Sequence, residues 1–305
     1  MASIATKDRT KSSLSTIARS SPQLGSLACG ILLLAFLPTL SRAAVAWSSN
    51  LDYSHGFIVP LFSVWYGWQK RDLIRASIAQ RQSKVSVLGG CALILLGFMA
   101  VVLGMFSRVV AVEVTGLVSA SWGIAWLAGG GACVRAIWPA LLSLFFMVPI
   151  PGLLIDPIRE QLQSISTTVG VFLLQTVGVA AQRAGTVIQL ADAEVGVAEA
   201  CSGLRILVSL FAVVFSVAVT IRRPTVEKIA LVAMALPIAI LINAIRIAVV
   251  AATVQYQPAW ESNVHDLAGL LMIILAIGLV SLQLRFMKVL FDDSSGEKRN
   301  LHGSF

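Results

Sequence analysis

Charge is what this sequence has least of. Only 12% of its 305 residues are Asp, Glu, Lys or Arg, whereas 57% are hydrophobic, and the mean hydropathy is +0.85. A soluble globular domain carries about 25% charged residues, so the balance excludes that class and indicates a polytopic membrane protein. Cysteine is also sparse, with four residues at positions 29, 91, 133 and 201. They form no CxxC pair and no His/Cys ligand spacing, so neither a metal site nor any other cofactor is expected. The first three lie in or beside apolar runs and read as core or lipid-facing residues. Acids number 15 against 23 bases, but the resulting +8 does not indicate nucleic acid. The basic residues stand in short clusters between apolar runs, as orientation signals do, and not along one face.

What is present is a succession of apolar runs. Residues 1–22 form a Ser/Thr-rich basic tail, followed by a run from Leu27 to Leu40. Ala44-Val45-Ala46 resembles a signal-peptidase site, but further membrane segments follow, so an uncleaved anchor is expected. A short polar patch, Tyr53-Ser54-His55-Gly56, precedes a run from Phe57 to Trp68 and the densest basic loop, Lys70 to Lys84. Further spans are expected over 85–106, 109–129 and 136–150, the last closed by Pro149-Ile150-Pro151-Gly152, where two prolines end a helix. An amphipathic helical pattern covers 157–182. A hairpin is expected where Thr186–Leu190 and Glu194–Val197 flank Ala191-Asp192-Ala193. The last spans are 204–221, 229–254 and 267–286, before a polar tail.

The basic clusters at 7–19, 70–84, 222–228 and 285–299 belong on the cytoplasmic side. An inside N-terminus satisfies all of them if residues 157–182 do not cross. The expected fold is thus all-α, with about eight transmembrane helices, one amphipathic helix at the outer face and a short hairpin. It divides into a tail (1–22), a membrane domain (23–288) and a second tail (289–305). Both tails are cytoplasmic. Tyr53, His55, Cys201 and His265 then fall at the outer face, although none of them enters the charge argument that orients the chain.

Three groups on that side carry chemistry. Glu199-Ala200-Cys201-Ser202-Gly203-Leu204-Arg205 gathers a carboxylate, a thiol and a guanidinium at the mouth of a membrane helix. If the helix begins at Cys201, Arg205 lies one turn away on the same face and favours the nucleophilic thiolate. Taken alone, the cysteine is equally readable as a small buried hydrophobe and the arginine as an interfacial one. Arg246 interrupts an apolar span one turn after Asn243. An arginine at the bilayer centre costs about 2.5–3.5 kcal/mol, so it needs a partner or a wet cavity, as a functional site or as a polar clamp between helices. His265, in Asn263-Val264-His265-Asp266, stands where the last span begins and is either an interfacial residue or a proton carrier.

With their order, these motifs resemble the exosortase/archaeosortase family of membrane cysteine transpeptidases. Ala200-Cys201-Ser202-Gly203-Leu204-Arg205 matches its cysteine motif, Asn243-Ala244-Ile245-Arg246 its arginine motif, and His265 followed by Gly269 its histidine motif. Tyr53-Ser54-His55-Gly56 and Met147-Val148-Pro149-Ile150-Pro151 also resemble bacterial members, so the likeness runs from about residue 25 to 288. It implies an enzyme of the bacterial cytoplasmic membrane with its site at the outer, periplasmic face. Its substrates would be secreted proteins ending in a Pro-Glu-Pro-type motif, a membrane helix and a basic tail, with the acceptor unidentified. Cys201, Arg246 and His265 would be catalytic, and Arg205, Glu199, Asn243, Ser202, His55 and Tyr53 supporting. The competing class is a non-enzymatic carrier in which Arg246 and Arg205 bind an anion, which gives Cys201 no role. A polyprenyl-linked glycosyltransferase is weaker, because Asp52, Asp156, Asp192 and Asp266 form no paired motif.

Overall fold

The structure, a computed structural model, describes residues 22–80, 82–197, 203–257, 271–272 and 274–288, with side chains from residue 35 onward, Leu51 excepted. Among these the architecture is helical with one small sheet. In chain order the helices are α1 (Pro22–Ser49), α2 (Ile58–Gln69), α3 (Arg71–Ile78), α4 (Lys84–Ser107), α5 (Val110–Ser143), α6 (Gly152–Thr176), α7 (Leu204–Thr220), α8 (Thr225–Ala233) and α9 (Ala235–Tyr256). Residues 274–288 form a further helix, α10. Short 3-10 segments, Leu51–Phe57 and Leu144–Met147, follow α1 and α5. The sheet is an antiparallel meander of β1 (Ala181–Ala184), β2 (Val187–Leu190) and β3 (Glu194–Gly196), in that order.

Three helical stretches among the described residues are long and apolar enough to cross a membrane, Lys84–Ser107, Val110–Met147 and Thr225–Tyr256; Leu204–Thr220 is a shorter apolar helix. The second stretch doubles back. Thirty-four helical residues in line would reach about 51 Å, yet the indole Nε1 of Trp122 donates to the carbonyl of Leu141 at 3.3 Å. The reversal is at Gly130, whose φ of 60° and ψ of −157° suit only glycine. Its limbs match the separate runs at 109–129 and 136–150. α4 and α5 pack at backbone contact through small residues: a Cβ on Gly97 would lie 2.5 Å from the carbonyl oxygen of Gly116. α1 joins this pair through a half-buried ion pair, Arg42 Nε to Glu113 Oε2 at 2.8 Å, with Glu113 1% and Arg42 39% exposed. Ala44-Val45-Ala46 lies inside α1, whose Ala43 and Trp47 enter a core shared with Tyr53, Val114, Val118 and Met147.

α7, α8, α9 and α10 share a second core of Leu210, Val214, Leu231, Ile238, Ile242 and Val280, which Met272 joins. Two expectations change in the neighbouring segment. The amphipathic helix spans Gly152–Thr176 and not 157–182, because Gly178, at φ 85°, caps its end and Ala181–Ala184 is the first strand. The expected hairpin is accordingly a three-stranded meander. α6 runs lengthwise along the second half of α9: a Cβ on Gly170 would lie 3.2 Å from the carbonyl oxygen of Ala244. Farther along, Val171 and Leu174 pack with Ile188, Val195, Ile247, Ala251 and Val254, so the sheet caps both helices. Arg183 ties the sheet to Ser164 and Thr168 of α6, and Asp192 ties it to Gln255 of α9.

Candidate active site

α6, α7 and α9 meet at the first turn of α7. Leu204 is 1% exposed and packs with Ile155 and Leu162 of α6 and Ile240 of α9. Glu199, Cys201 and Ser202, together with His265, lie outside the described residues. Both flanks of the 198–202 segment are described. On one side, the buried Gln163 of α6 donates its Nε2 to the carbonyl of Val197 at 2.5 Å. On the other, Gly203 abuts α9: a Cβ there would stand 2.9 Å from Asn243 Nδ2 and 3.0 Å from its Cγ. Gly203 holds φ 82° and ψ −6°, and α7 begins only at Leu204. The helix start agrees with the expected span from 204, and the condition that would set Arg205 one turn from Cys201 on one face, a helix opening at Cys201, is not met. A left-handed residue between them breaks the i,i+4 relation.

Asn243 and Arg246 sit one turn apart on α9, and both are buried, at 0% and 8% exposure. Asn243 turns its amide to Gly203, and Arg246 lies on the same inward face, among Ile242, Ile247 and Val250. A guanidinium stays charged at every accessible pH. Held in a desolvated junction, it offers fixed positive charge to a group that develops negative charge during a reaction.

Arg205, expected near Glu199, has Asp52 as its described ion-pair partner, Nε to Oδ1 at 3.6 Å. The other oxygen of Asp52 is 3.2 Å from Arg159 Nη2, and Arg159 Nη1 donates to Asp156 at 2.9 Å. Asp52 thus ties the 3-10 segment after α1 to both α6 and α7. Nothing in the sequence pattern marks Asp52, Arg159 or Gln163 as residues of this junction. The Asp52–Arg159 pair spans 107 positions, and no local pattern announces it.

Tyr53 and His55 occupy that same 3-10 segment and hold the proline turn before α6. The Tyr53 hydroxyl donates to the carbonyl of Ile150 at 2.7 Å, His55 Nε2 meets that of Phe146 at 2.8 Å, and Trp47 Nε1 donates to Met147 at 2.9 Å. Gly56 lets the segment close on Trp47, since a Cβ there would fall 2.6 Å from the indole. Burial, and then the charge of Asp52, raise the Tyr53 phenol above its usual range. Burial pushes the His55 imidazole below 6.5, opposed by the Phe146 carbonyl. Both are neutral donors near neutral pH. The two early motifs, nearly a hundred residues apart, are therefore the halves of one clamp.

A family model described as transmembrane exosortase matches residues 47–282. That is more than three quarters of the chain, and it takes in the clamp, the α6–α7–α9 junction and all three sequence motifs. Neither a curated protein nor a solved structure gives a significant match.

Proposed function

Since the chain belongs to the transmembrane exosortase family, we propose that it is a membrane-embedded cysteine transpeptidase acting on C-terminal sorting signals. In this reading the Cys201 thiolate attacks the scissile carbonyl carbon and forms the C–S bond of an acyl-enzyme. Arg246 stabilises the oxyanion of the tetrahedral intermediate. His265 protonates the amine as the C–N bond breaks, then takes the proton of the incoming acceptor, which expels the thiolate. Asn243 and Arg205 are positioning residues. The observation that carries the reading is the seat of Gly203 on Asn243. The chain two residues after Cys201 is seated one turn from Arg246, which supports a shared site for the thiol and the guanidinium.

The substrate class is a secreted protein ending in a Pro-Glu-Pro-type motif, a membrane helix and a basic tail. The enzyme crosses a bacterial cytoplasmic membrane eight times, with both tails inside and the junction at the outer face. Helix lengths support that depth. The 17 residues of α7 reach about 25 Å and the 32 of α8 and α9 about 48 Å, against roughly 30 Å of hydrocarbon. Leu204 packs with Ile240, so the last turns of α9 extend past the start of α7, clad by α6 and the sheet as an outer cap.

The test is processing of a reporter bearing such a tail, in cells making each variant at matched levels. Cys201→Ala and Arg246→Lys should abolish cleavage, the latter because lysine loses the planar multi-donor fork. His265→Ala should slow it by about 10²–10⁴-fold. Cleavage by Cys201→Ala at the full rate would overturn the proposal.

A further inference from the structure

Among the described residues, the last strand before the cysteine motif has an open edge. We propose that β3 binds the polypeptide substrate there, as a fourth strand of the meander, and so delivers its scissile bond toward Cys201. This rests on the peptidase reading above. The phase of the ladder defines which groups are available. Leu190 N–H donates to the Ala193 carbonyl at 2.8 Å and Val197 N–H to that of Thr186 at 2.9 Å, while Ile188 pairs with Val195. Ala193, Val195 and Val197 therefore turn their main-chain groups toward β2. By the two-residue alternation of an antiparallel ladder, Glu194 and Gly196 turn theirs away from it. β2 is occupied by β1 on its other side, so β3 is the edge. The opposite edge is in use, since the Ala181 carbonyl of β1 accepts from Gln175 Nε2 of α6 at 2.9 Å.

Position and chemistry select the occupant. β3 is anchored at Val197 by Gln163, and Cys201 follows Gly196 by five residues. A strand laid on Glu194–Gly196 thus runs beside the approach to the nucleophile. A peptide bond must be extended to be attacked, because a helical carbonyl is engaged with its own chain. Main-chain pairing with an edge holds any sequence in that state, leaving selectivity to side chains. A second copy of this chain is disfavoured there: Glu194 stands on this strand in each copy, and an identical strand would bring like charges together.

The experiment uses the full-length enzyme in membranes and a secreted reporter with a Pro-Glu-Pro motif, a membrane helix and a basic tail. Gly196→Pro deletes only an outward donor, and proline is tolerated at an edge with its nitrogen facing out. It should lower reporter cleavage by about tenfold or more, the worth of one lost hydrogen bond with its partner left unpaired, at unchanged thermal stability. Gly196→Ala keeps the N–H and should lose no more than a few-fold. A photo-crosslinking residue in place of Glu194 should capture the reporter. Gly196→Pro cleaving as fast as Gly196→Ala, or a crosslink to a second enzyme copy alone, overturns the proposal while the peptidase reading stands. Absence of cleavage by the unaltered enzyme defeats both.

Discussion

Gly203→Ala tests the junction without touching a reacting group. Gly203 holds φ 82°, where a residue with a Cβ costs about 1–2 kcal/mol. The new methyl would also lie 2.9–3.2 Å from three side-chain atoms of Asn243, which is fully buried and has nowhere to retreat. Overpacking of that kind adds about 1–3 kcal/mol. The variant should therefore lose about 2–5 kcal/mol in all. Gly178→Ala isolates the first contribution, since Gly178 has φ 85° and nothing within 4 Å of its would-be Cβ. Unfolding of the detergent-solubilised protein, followed by helical circular dichroism, reads both. Adding Asn243→Ala to Gly203→Ala should give a double variant more stable than the sum of the singles. Equal losses for Gly203→Ala and Gly178→Ala, or a cycle additive to within about 0.5 kcal/mol, would refute the contact.

Arg42→Leu should cost about 3–5 kcal/mol by stranding Glu113, which is 1% exposed, and Arg42→Leu/Glu113→Leu should recover most of it in the same unfolding assay. Asp52→Asn removes the carboxylate that, among the described residues, Arg159 and Arg205 share, and should slow reporter processing, with partial rescue by Asp52→Glu. His55 is held neutral by burial, so its folded pKa lies below the unfolded 6.5. Its stability contribution is intact above 6.5 and is lost as pH falls from there toward the folded pKa. His55→Gln should therefore show a smaller loss than the parent between pH 7 and pH 5 in an unfolding series. A reporter enzyme fused after Arg223 should be active inside the cell and one fused after Gln257 outside; the reverse pattern would invert the site.

Apolar runs and glycines make most of the helical frame legible in the amino-acid sequence. The two limbs of α5 are separable because Gly129-Gly130-Gly131 interrupts their hydrophobic pattern, and the chain does reverse there. The end of α6 is not legible in the same way. Val179-Ala180-Ala181-Gln182 continues a helical composition, and the signal that stops it is the left-handed Gly178. β1 is too short, at four residues, to declare a period of two against that background. At the junction, Asn243 and Arg246 stand out as polar residues in an apolar span. α7 starts at Leu204, where its apolar run places it, but the left-handed φ of Gly203, which separates Cys201 from the face of Arg205, cannot be read from Ser202-Gly203. The Asp52–Arg159 and Gln163–Val197 contacts join segments 107 and 34 positions apart, and only tertiary packing reveals them.

The central claim is that Cys201 is acylated by its substrate, and the most direct measurement is to catch that bond. Enzyme enriched from membranes incubated with the tailed reporter should carry, by intact and peptide mass spectrometry, the reporter's acyl fragment as a thioester on the peptide containing Cys201. Hydroxylamine should release it, and Cys201→Ala should carry none and leave the reporter uncut. Cleavage by Cys201→Ala, or acylation mapped to another residue, would contradict the account.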